Sequence, residues 1–254
     1  MADPITTSVV TTLATNAALQ VAKQAQDFLS AVSGHKGESI GTIMGDLLKR
    51  RTENGEKVWS AAHLTLLNLN LHPDHIALPI LQPAVEGSTL AEEPSLRQAW
   101  SNLLANASDP RHKTPVMAIF TSFLKDLGGS EVKFLDGLFE ESLNRVRHHD
   151  VWKRVSQICY ETGELQNLYA GFGLTRVSRL SGAGFEEQHR PEFEADMDAF
   201  WLSLGICQRH NILTQQVLEP EKLGFPSSRE KLMRRWYFTD LGAAFVKACR
   251  PPSP

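Results

Sequence analysis

The segment at residues 91–107, A-E-E-P-S-L-R-Q-A-W-S-N-L-L-A-N-A, constrains the fold of this chain more than any other segment. Its apolar residues recur at helical spacing and form one continuous face. The residues of that face are Leu96, Trp100, Leu103, Leu104 and Ala107. Pro94 suits the first turn of a helix, and Asp109-Pro110 ends it. Because an amphipathic helix of this length is unstable alone in water, the sequence predicts neighbouring helices that cover this face.

Other segments with the same periodicity precede and follow this helix, so the sequence predicts a multi-helix bundle. The predicted helices lie at residues 5–32, 39–51 and 56–69, near Pro79, and at residues 115–127 and 130–143. Gly34 and Gly37 are predicted to end the first of these helices before the second begins. The basic triplet at residues 49–51 falls in a last helical turn, where cations complement the helix dipole, and we interpret it as structural.

The pattern changes after about residue 150, where strands are predicted for the first time. Helices are predicted over Trp152–Tyr160 and Phe193–Leu204, with a loop over Gly171–Gly184 between them. The core face of the second helix is predicted to contain Met197, Phe200, Trp201 and Leu204. Strands are predicted over Ile212–Leu218 and Met233–Phe238, joined by a turn-rich connection, and Thr239 is expected to cap a final helix over Asp240–Cys249. This order of elements is typical of a winged-helix unit.

The predicted fold class is therefore mainly α, with a multi-helix bundle followed by a C-terminal winged-helix-like module that contains a small β-hairpin. We expect three regions along the chain. Residues 1–37 form an N-terminal helix and linker, residues 38–149 form the helical body, and residues 150–254 form the winged-helix-like module.

Charge and composition limit the classes of function that this chain can have. The net charge is -3, with 13 Lys/Arg against 17 Asp/Glu in residues 1–150 and 13 against 12 in the remainder. Neither part is the basic body expected of a strong nucleic-acid binder. The three cysteines are odd in number, so no disulfide framework is expected. The first residues lack the features of a signal peptide, and no segment has the roughly 20 consecutive apolar residues of a membrane span, so we expect a cytoplasmic protein.

The predicted winged-helix-like module allows a direct test of nucleic-acid binding from the sequence. The helix before the wing normally enters the major groove with basic and amide side chains. Here that helix carries Glu192, Glu194, Asp196 and Asp198, which disfavours contact with phosphate. The basic residues lie in and beside the predicted wing: Arg229, Lys231, Arg234 and Arg235. A contact through the wing therefore stays open as an alternative.

No group of residues in the sequence indicates catalysis or a metal site. Cys207 and His210 have metal-like spacing, but a closed zinc site usually needs a second close pair. His148-His149-Asp150 follows two arginines near a predicted helix end, where cations are favourable for structural reasons. No glycine-rich segment has the context of a phosphate-binding loop. We therefore predict no catalytic residue, no metal and no cofactor.

Several stretches of the sequence resemble the abortive infection alpha family. Pro115–Leu127 and Ser130–Leu138 are similar to one segment of it, and three other stretches carry most of the resemblance. They are Ile76-Ala-Leu-Pro79-Ile80, the run from Glu92-Glu93 to W-S-N-L-L-A-N-A, and Tyr237-Phe-Thr239-Asp-Leu241-Gly242 through Cys249. The resemblance covers roughly residues 38–249. We interpret Trp100, Leu103, Leu104 and Asn106 as its structural motif, with Trp100 as a buried anchor and Asn106 satisfying backbone groups. The resemblance implies a role in bacterial defence against phage, without implying a particular reaction.

The sequence thus favours a non-enzymatic defence protein that acts through contacts with an unknown protein partner, with self-association as a homodimer included. A nucleic-acid-binding sensor or regulator that uses the basic wing is the first alternative. The second is a membrane-perturbing effector that uses the N-terminal helix, although this helix lacks the Lys/Arg-rich polar face of interfacial helices.

Overall fold

The computed structural model describes residues 52–149, 154–175, 190–218 and 233–254. Within these ranges the protein is mainly helical, with eight α-helices, one short 3-10 helix and a small three-stranded antiparallel sheet. The helices predicted at residues 5–32 and 39–51 and the connection at residues 219–229 lie outside the described residues. The mainly α fold class with a small β element near the C-terminus is confirmed.

The chain divides into two compact units. The first runs to Lys125 and includes Ala248–Pro254, and its described part begins at Thr52. Its helices are α1 (Thr52–Asn68), α2 (Leu78–Leu90), α3 (Pro94–Ala107) and most of α4 (Ala118–Asp126). The second unit is Asp126–Lys247.

Two helices of the first unit begin with a proline in their first turn. A proline occupies the first turn of both α2 and α3, where the missing N–H has no helical partner in any case.

The apolar stripe of α3 packs against α1 and α2, and its centre is Trp100, with only 1% of its surface exposed. Its indole ring lies on Gly87 of α2, where an added Cβ would come within 2.2 Å of the ring. A glycine is therefore required at this helix crossing.

The second unit combines helices with the sheet. Its elements in chain order are α5 (Gly129–His149), a 3-10 turn (Val155–Gln157), β1 (Cys159–Glu161), α6 (Thr162–Gly171), α7 (Arg190–Arg209), β2 (Leu213–Leu218), β3 (Met233–Phe238) and most of α8 (Asp240–Ala248). The strand order is β1-β3-β2 with both pairs antiparallel. In the register, Tyr160 and Gln215 lie on either side of Trp236.

The helix predicted over Trp152–Tyr160 is wrong in the part that the structure describes. There the chain forms the 3-10 turn and then β1, whose backbone pairs with β3. Ile158 and Tyr160 are both buried and alternate with more exposed neighbours, which is the period of a strand. Helix α6 was not predicted. At β1, pairing with β3 and burial outweighed the local helical pattern.

The two predicted strands and the Thr239 cap of this unit are confirmed, and α7 needs one correction. Both predicted strands are present, and the Thr239 side chain accepts a hydrogen bond from the backbone N–H of Gly242, 2.8 Å away, as an N-cap should. Helix α7 is longer than predicted at both ends. Phe200 and Leu204 are buried as expected, but Trp201 is 39% exposed and does not belong to the core face.

Candidate functional site

The side chains that carry the family resemblance lie inside the first unit. Trp100, Leu103, Leu104 and Asn106 are at most 3% exposed. Their contacts are with neighbouring helices and with backbone. These residues hold the fold together and present nothing to solvent.

Two asparagines of α3 hold the end of the chain against that helix. The Asn106 side-chain amide donates to the carbonyls of Ala248 and Arg250 at 2.9 and 2.7 Å, and also to Asn102 O within its own helix. The Asn102 amide donates to the carbonyl of Cys249 at 2.9 Å. We call this group the α3–tail contact. It satisfies carbonyls that follow the last helical turn, which have no helical partner of their own.

A charged loop after α3 continues the same contact. The guanidinium of Arg111 binds both carboxylate oxygens of Asp109, which is 2% exposed, and also donates to Ser253 O at 2.8 Å. The Lys113 ammonium donates to Pro254 O. The hydrogen bond from Arg111 holds the pKa of Asp109 below its ordinary value. The loop therefore binds the tail through the side chains of Arg111 and Lys113.

The second unit buries an ionisable group between α5 and the sheet. Tyr160 OH lies 2.7 Å from Ser142 Oγ, and the Arg145 guanidinium stacks 4.5 Å from the centre of the tyrosine ring. Arg145 also binds the carboxylates of Glu141 and Glu164. Burial raises the pKa of Tyr160 to about 12, although the hydrogen bond with Ser142 and the charge of Arg145 act in the opposite direction. The tyrosine is neutral at physiological pH and acts as a packing group with one satisfied hydroxyl.

A second polar cluster of this unit contains a serine beside a carboxylate. Ser203 Oγ donates to Glu131 Oε1 at 2.6 Å and lies 3.3 Å from Tyr169 OH. The other oxygen of Glu131 accepts from the backbone N–H of Gly128. Ser203 is 2% exposed, so its hydroxyl is shielded from solvent. No sequence motif marks this cluster, because Glu131, Tyr169 and Ser203 are separated by dozens of residues.

Cys207 and His210, whose spacing resembles that of a pair of metal ligands, have different surroundings in the structure. Cys207 is fully buried, and burial raises the pKa of its thiol, which makes the reactive thiolate scarce. The His210 ring faces Asp126, with 3.0 Å between Nε2 and the carboxylate. In the part of the chain that the structure describes, no three His, Cys, Asp or Glu side chains are grouped as metal ligands. Asp150 lies outside that part, and His148 and His149 end α5.

The basic residues of the predicted wing are only partly described. Arg229 and Lys231 lie outside the described residues. Arg234 and Arg235 are consecutive in β3, so their side chains project from opposite faces of the sheet. Arg234 is exposed, whereas Arg235 is half-buried and has Glu161 as its register partner on β1. The two arginines therefore do not form one basic surface.

The described surface of α7 has a distinct composition. Three of the four carboxylates considered above, Glu192, Glu194 and Asp198, are exposed, whereas Asp196 is buried at 7%. The side of α7 that faces away from the core forms one stripe, which we call the α7 outer face. Its residues are Glu194, Asp198, Trp201, Leu202, Gly205 and Arg209.

The α7 outer face carries two large apolar residues that are partly open to solvent, and Leu202 is the more exposed of the two. Leu202 has 67% of its surface exposed and Trp201 has 39%, while the Trp201 ring is fixed by an edge-on contact with Phe200 at 5.2 Å. Gly205 has no atom within 4 Å of where a Cβ would be. The α7 outer face therefore combines two partly exposed apolar side chains at its centre with charged side chains at its ends.

The N-terminal helix that was considered for membrane contact belongs to residues 1–37, outside the described residues, and that interpretation stays a prediction. Within the described residues, every helix is too short or too polar to cross a bilayer.

The described structure is that of a mainly helical protein with a small antiparallel sheet. The side chains around Trp100 that carry the family resemblance are buried in its scaffold. Comparison with known families then identifies it, because the family described as abortive infection alpha matches residues 56–249. This match covers most of the chain, and the protein belongs to the abortive infection alpha family. No curated protein and no solved structure matched the chain.

Proposed function

We propose that this chain is an anti-phage defence protein of the abortive infection type that acts through protein–protein contacts and not through a reaction of its own. Membership of the abortive infection alpha family supports the defence role. The burial of Trp100, Leu103, Leu104 and Asn106 supports the second part, because the motif accounts for folding and offers no chemistry. Function then depends on the surfaces that this scaffold presents.

The second unit is proposed to be of the winged-helix type. The order of its elements from α5 to β3 is helix, strand, helix, helix, strand, strand, and the sheet order is β1-β3-β2. In a winged-helix unit the helix before the two hairpin strands, here α7, is the one presented to a partner. The carboxylates and apolar side chains of the α7 outer face suit a protein partner better than a phosphate backbone.

The defence role is tested by infecting bacteria that express the chain with a panel of phages. We expect fewer plaques, protection of the culture when phages are few, and loss of the infected cells when phages outnumber cells. Trp100→Ala serves as the destabilised control and should reduce protection. If plating of every phage in a broad panel is unaffected by the wild-type chain, the proposed defence role is wrong.

The non-enzymatic part is tested at Ser203, whose hydroxyl next to Glu131 is the arrangement closest to a nucleophile in the described residues. We expect Ser203→Ala to keep full protection, because a contact surface on the other side of α7 does not use this hydroxyl. Complete loss of protection in a variant with unchanged circular dichroism and thermal stability would indicate catalysis and overturn this part of the proposal.

Nucleic-acid binding is the second candidate, favoured by one observation. Arg234 is exposed at the end of β3 that adjoins residues 219–232, where a wing would contact a duplex. Binding of this kind should be weak and should decrease steeply with salt. A salt-dependent gel shift that Arg234→Glu/Arg235→Glu abolishes, and that Lys133→Glu on α5 leaves unchanged, would support it. The absence of any shift at low salt would exclude it.

A further inference from the structure

We infer that the α7 outer face binds a second copy of this chain, with the two α7 helices packed antiparallel about a twofold axis. This inference rests on the proposed action through protein contacts and names the partner. The face lies directly opposite the buried side of α7, which carries Phe200, Ser203, Leu204 and Cys207. A helical stripe with exposed apolar side chains at its centre and charges at its ends is the usual form of a helix–helix interface.

The sequence of residues along this face is complementary to itself in one orientation only. An antiparallel pair centred between residues 201 and 202 places Trp201 against Leu202 of the second copy. In the same register Asp198 meets Gly205, and Glu194 meets Arg209. Each of these contacts occurs twice, since residue i contacts j and j contacts i across a twofold axis.

Charge excludes the parallel alternative. A parallel pair would place Glu194 against Glu194 and Arg209 against Arg209, which is repulsive at both ends of the face. The antiparallel pair converts both ends into opposite-charge contacts about 11 Å from the centre along the helix axis. Arg209 also contacts Asp126 at 3.1 Å in its own chain, but its side chain is 65% exposed and its guanidinium has further donors.

Gly205 permits the close approach that such a pair needs. No atom lies within 4 Å of its missing side chain, so the space beside it is open on the outer face. A partner helix can therefore come close at this point, where Asp198 of the other copy is small enough to fit beside it. A nucleic acid would be repelled by Glu194 and Asp198, and a purely cationic partner would be repelled by Arg209. A second copy carries charges of both signs and therefore fits the whole face better than either.

The experiment measures the mass of the purified full chain by analytical ultracentrifugation up to roughly 100 µM, because an interface formed by one helix pair belongs to the small, weak class. We expect a concentration-dependent dimer. Leu202→Asp should weaken it on the order of a hundredfold by placing a charge in the apolar centre. Leu64→Asp is the matched control, since Leu64 is an exposed leucine on α1 in the other unit and should leave the dimer intact.

The antiparallel register has its own test by exchange of charges. Glu194→Arg should weaken the dimer about tenfold, because it places an arginine opposite Arg209 twice. Arg209→Glu should do the same, and the double variant Glu194→Arg/Arg209→Glu should restore much of the lost affinity. Single variants without effect, or a double variant no better than either single one, would overturn the register.

Three results would overturn the inference as a whole. The first is a wild-type chain that stays monomeric throughout the concentration range. The second is a dimer that Leu202→Asp does not weaken. The third is a monomer that forms a stoichiometric complex with a different protein through this face. The plating test separates the two proposals: a monomeric chain that still protects cells disproves only the dimer, whereas a dimer without protection disproves the defence role.

Discussion

The two compact units satisfy their buried polar groups in different ways. In the first unit, the uncharged side-chain amides of Asn102 and Asn106 donate hydrogen bonds to backbone carbonyls that are distant in the sequence. In the second unit, the corresponding groups are ionisable, with Tyr160 beside Arg145 and Ser203 beside Glu131.

This difference separates two ways of fixing a fold. A neutral amide that binds backbone is independent of pH and specifies one arrangement, because its removal leaves carbonyls without partners. An ionisable network depends on protonation and on the ions that surround it. The first unit combines the neutral α3–tail contact with one buried ion pair, Asp109–Arg111, whereas the second unit carries the larger ionisable clusters together with the α7 outer face. The predictions below test this contrast, beginning with the largest expected effect on stability at neutral pH.

The largest effect is expected from a pair of tryptophan substitutions. Trp100→Ala should lower the free energy of unfolding by about 3–5 kcal/mol, because it leaves a cavity among α1, α2 and α3. Trp201→Ala should change it by less than about 1 kcal/mol, since this side chain is 39% exposed. Urea unfolding followed by circular dichroism measures both. Equal losses would show that Trp201 is as much a core residue as Trp100.

Removal of the α3–tail contact should have the next largest effect. Asn106→Ala leaves the carbonyls of Ala248 and Arg250 without this donor, and we expect a loss of about 2–4 kcal/mol. Gln208→Ala, an exposed amide on α7, is the control and should stay within about 0.5 kcal/mol of wild type. Proteolysis at the C-terminus should also become faster in the Asn106 variant. An unchanged rate would contradict the anchoring role.

A glycine substitution in the second unit is expected to cost less. A Cβ at Gly242 would lie 2.1 Å from the carbonyl oxygen of Ile212, which forces the start of α8 away from the end of α7. We expect Gly242→Ala to destabilise by about 1–3 kcal/mol. Gly171→Ala, where the space is open, should be neutral or stabilising by about 0.5 kcal/mol. Thermal unfolding compares the two, and equal melting temperatures would show that the crossing at Gly242 adapts freely.

Acid should affect the first unit through Asp109. Its pKa is held below the ordinary value of 3.8 by Arg111, so its contribution is fully present above pH 3.8 and is lost as the pH falls through the lower folded pKa. Asp109→Asn should therefore flatten the decrease of unfolding free energy below about pH 4. A decrease as steep as that of wild type would assign the acid sensitivity to other carboxylates.

Alkali should affect the second unit through Tyr160, at pH values far above neutral. Burial raises its pKa from 10.0 to about 12, so its neutral form contributes stability below pH 10 that is lost between pH 10 and 12. Tyr160→Phe should flatten the decrease of stability in that range and leave the decrease below pH 4 unchanged. Absorbance of tyrosinate during titration provides an independent check of when the ring ionises.

Much of the fold was predictable because local patterns and core packing agreed. The stripe of α3, the prolines that begin α2 and α3, the two strands and the Thr239 cap all follow from spacing and capping chemistry. The helix predicted over Trp152–Tyr160 failed because β1 is stabilised by hydrogen bonds to β3, which lies more than seventy residues later. A strand of three residues carries too little alternation to be recognised by itself.

The sequence by itself determined the helical class, the family and the burial of Trp100, because each of these depends on residues that are close together in the chain. Only the tertiary structure decided which polar residues meet and which apolar residues stay outside. Asn102 and Asn106 meet a tail about 140 residues away, and Trp201 faces solvent although its spacing resembles that of a core residue. The physical reason is that helical periodicity specifies a face, whereas the neighbour that covers this face, or leaves it open, is fixed only when distant segments pack.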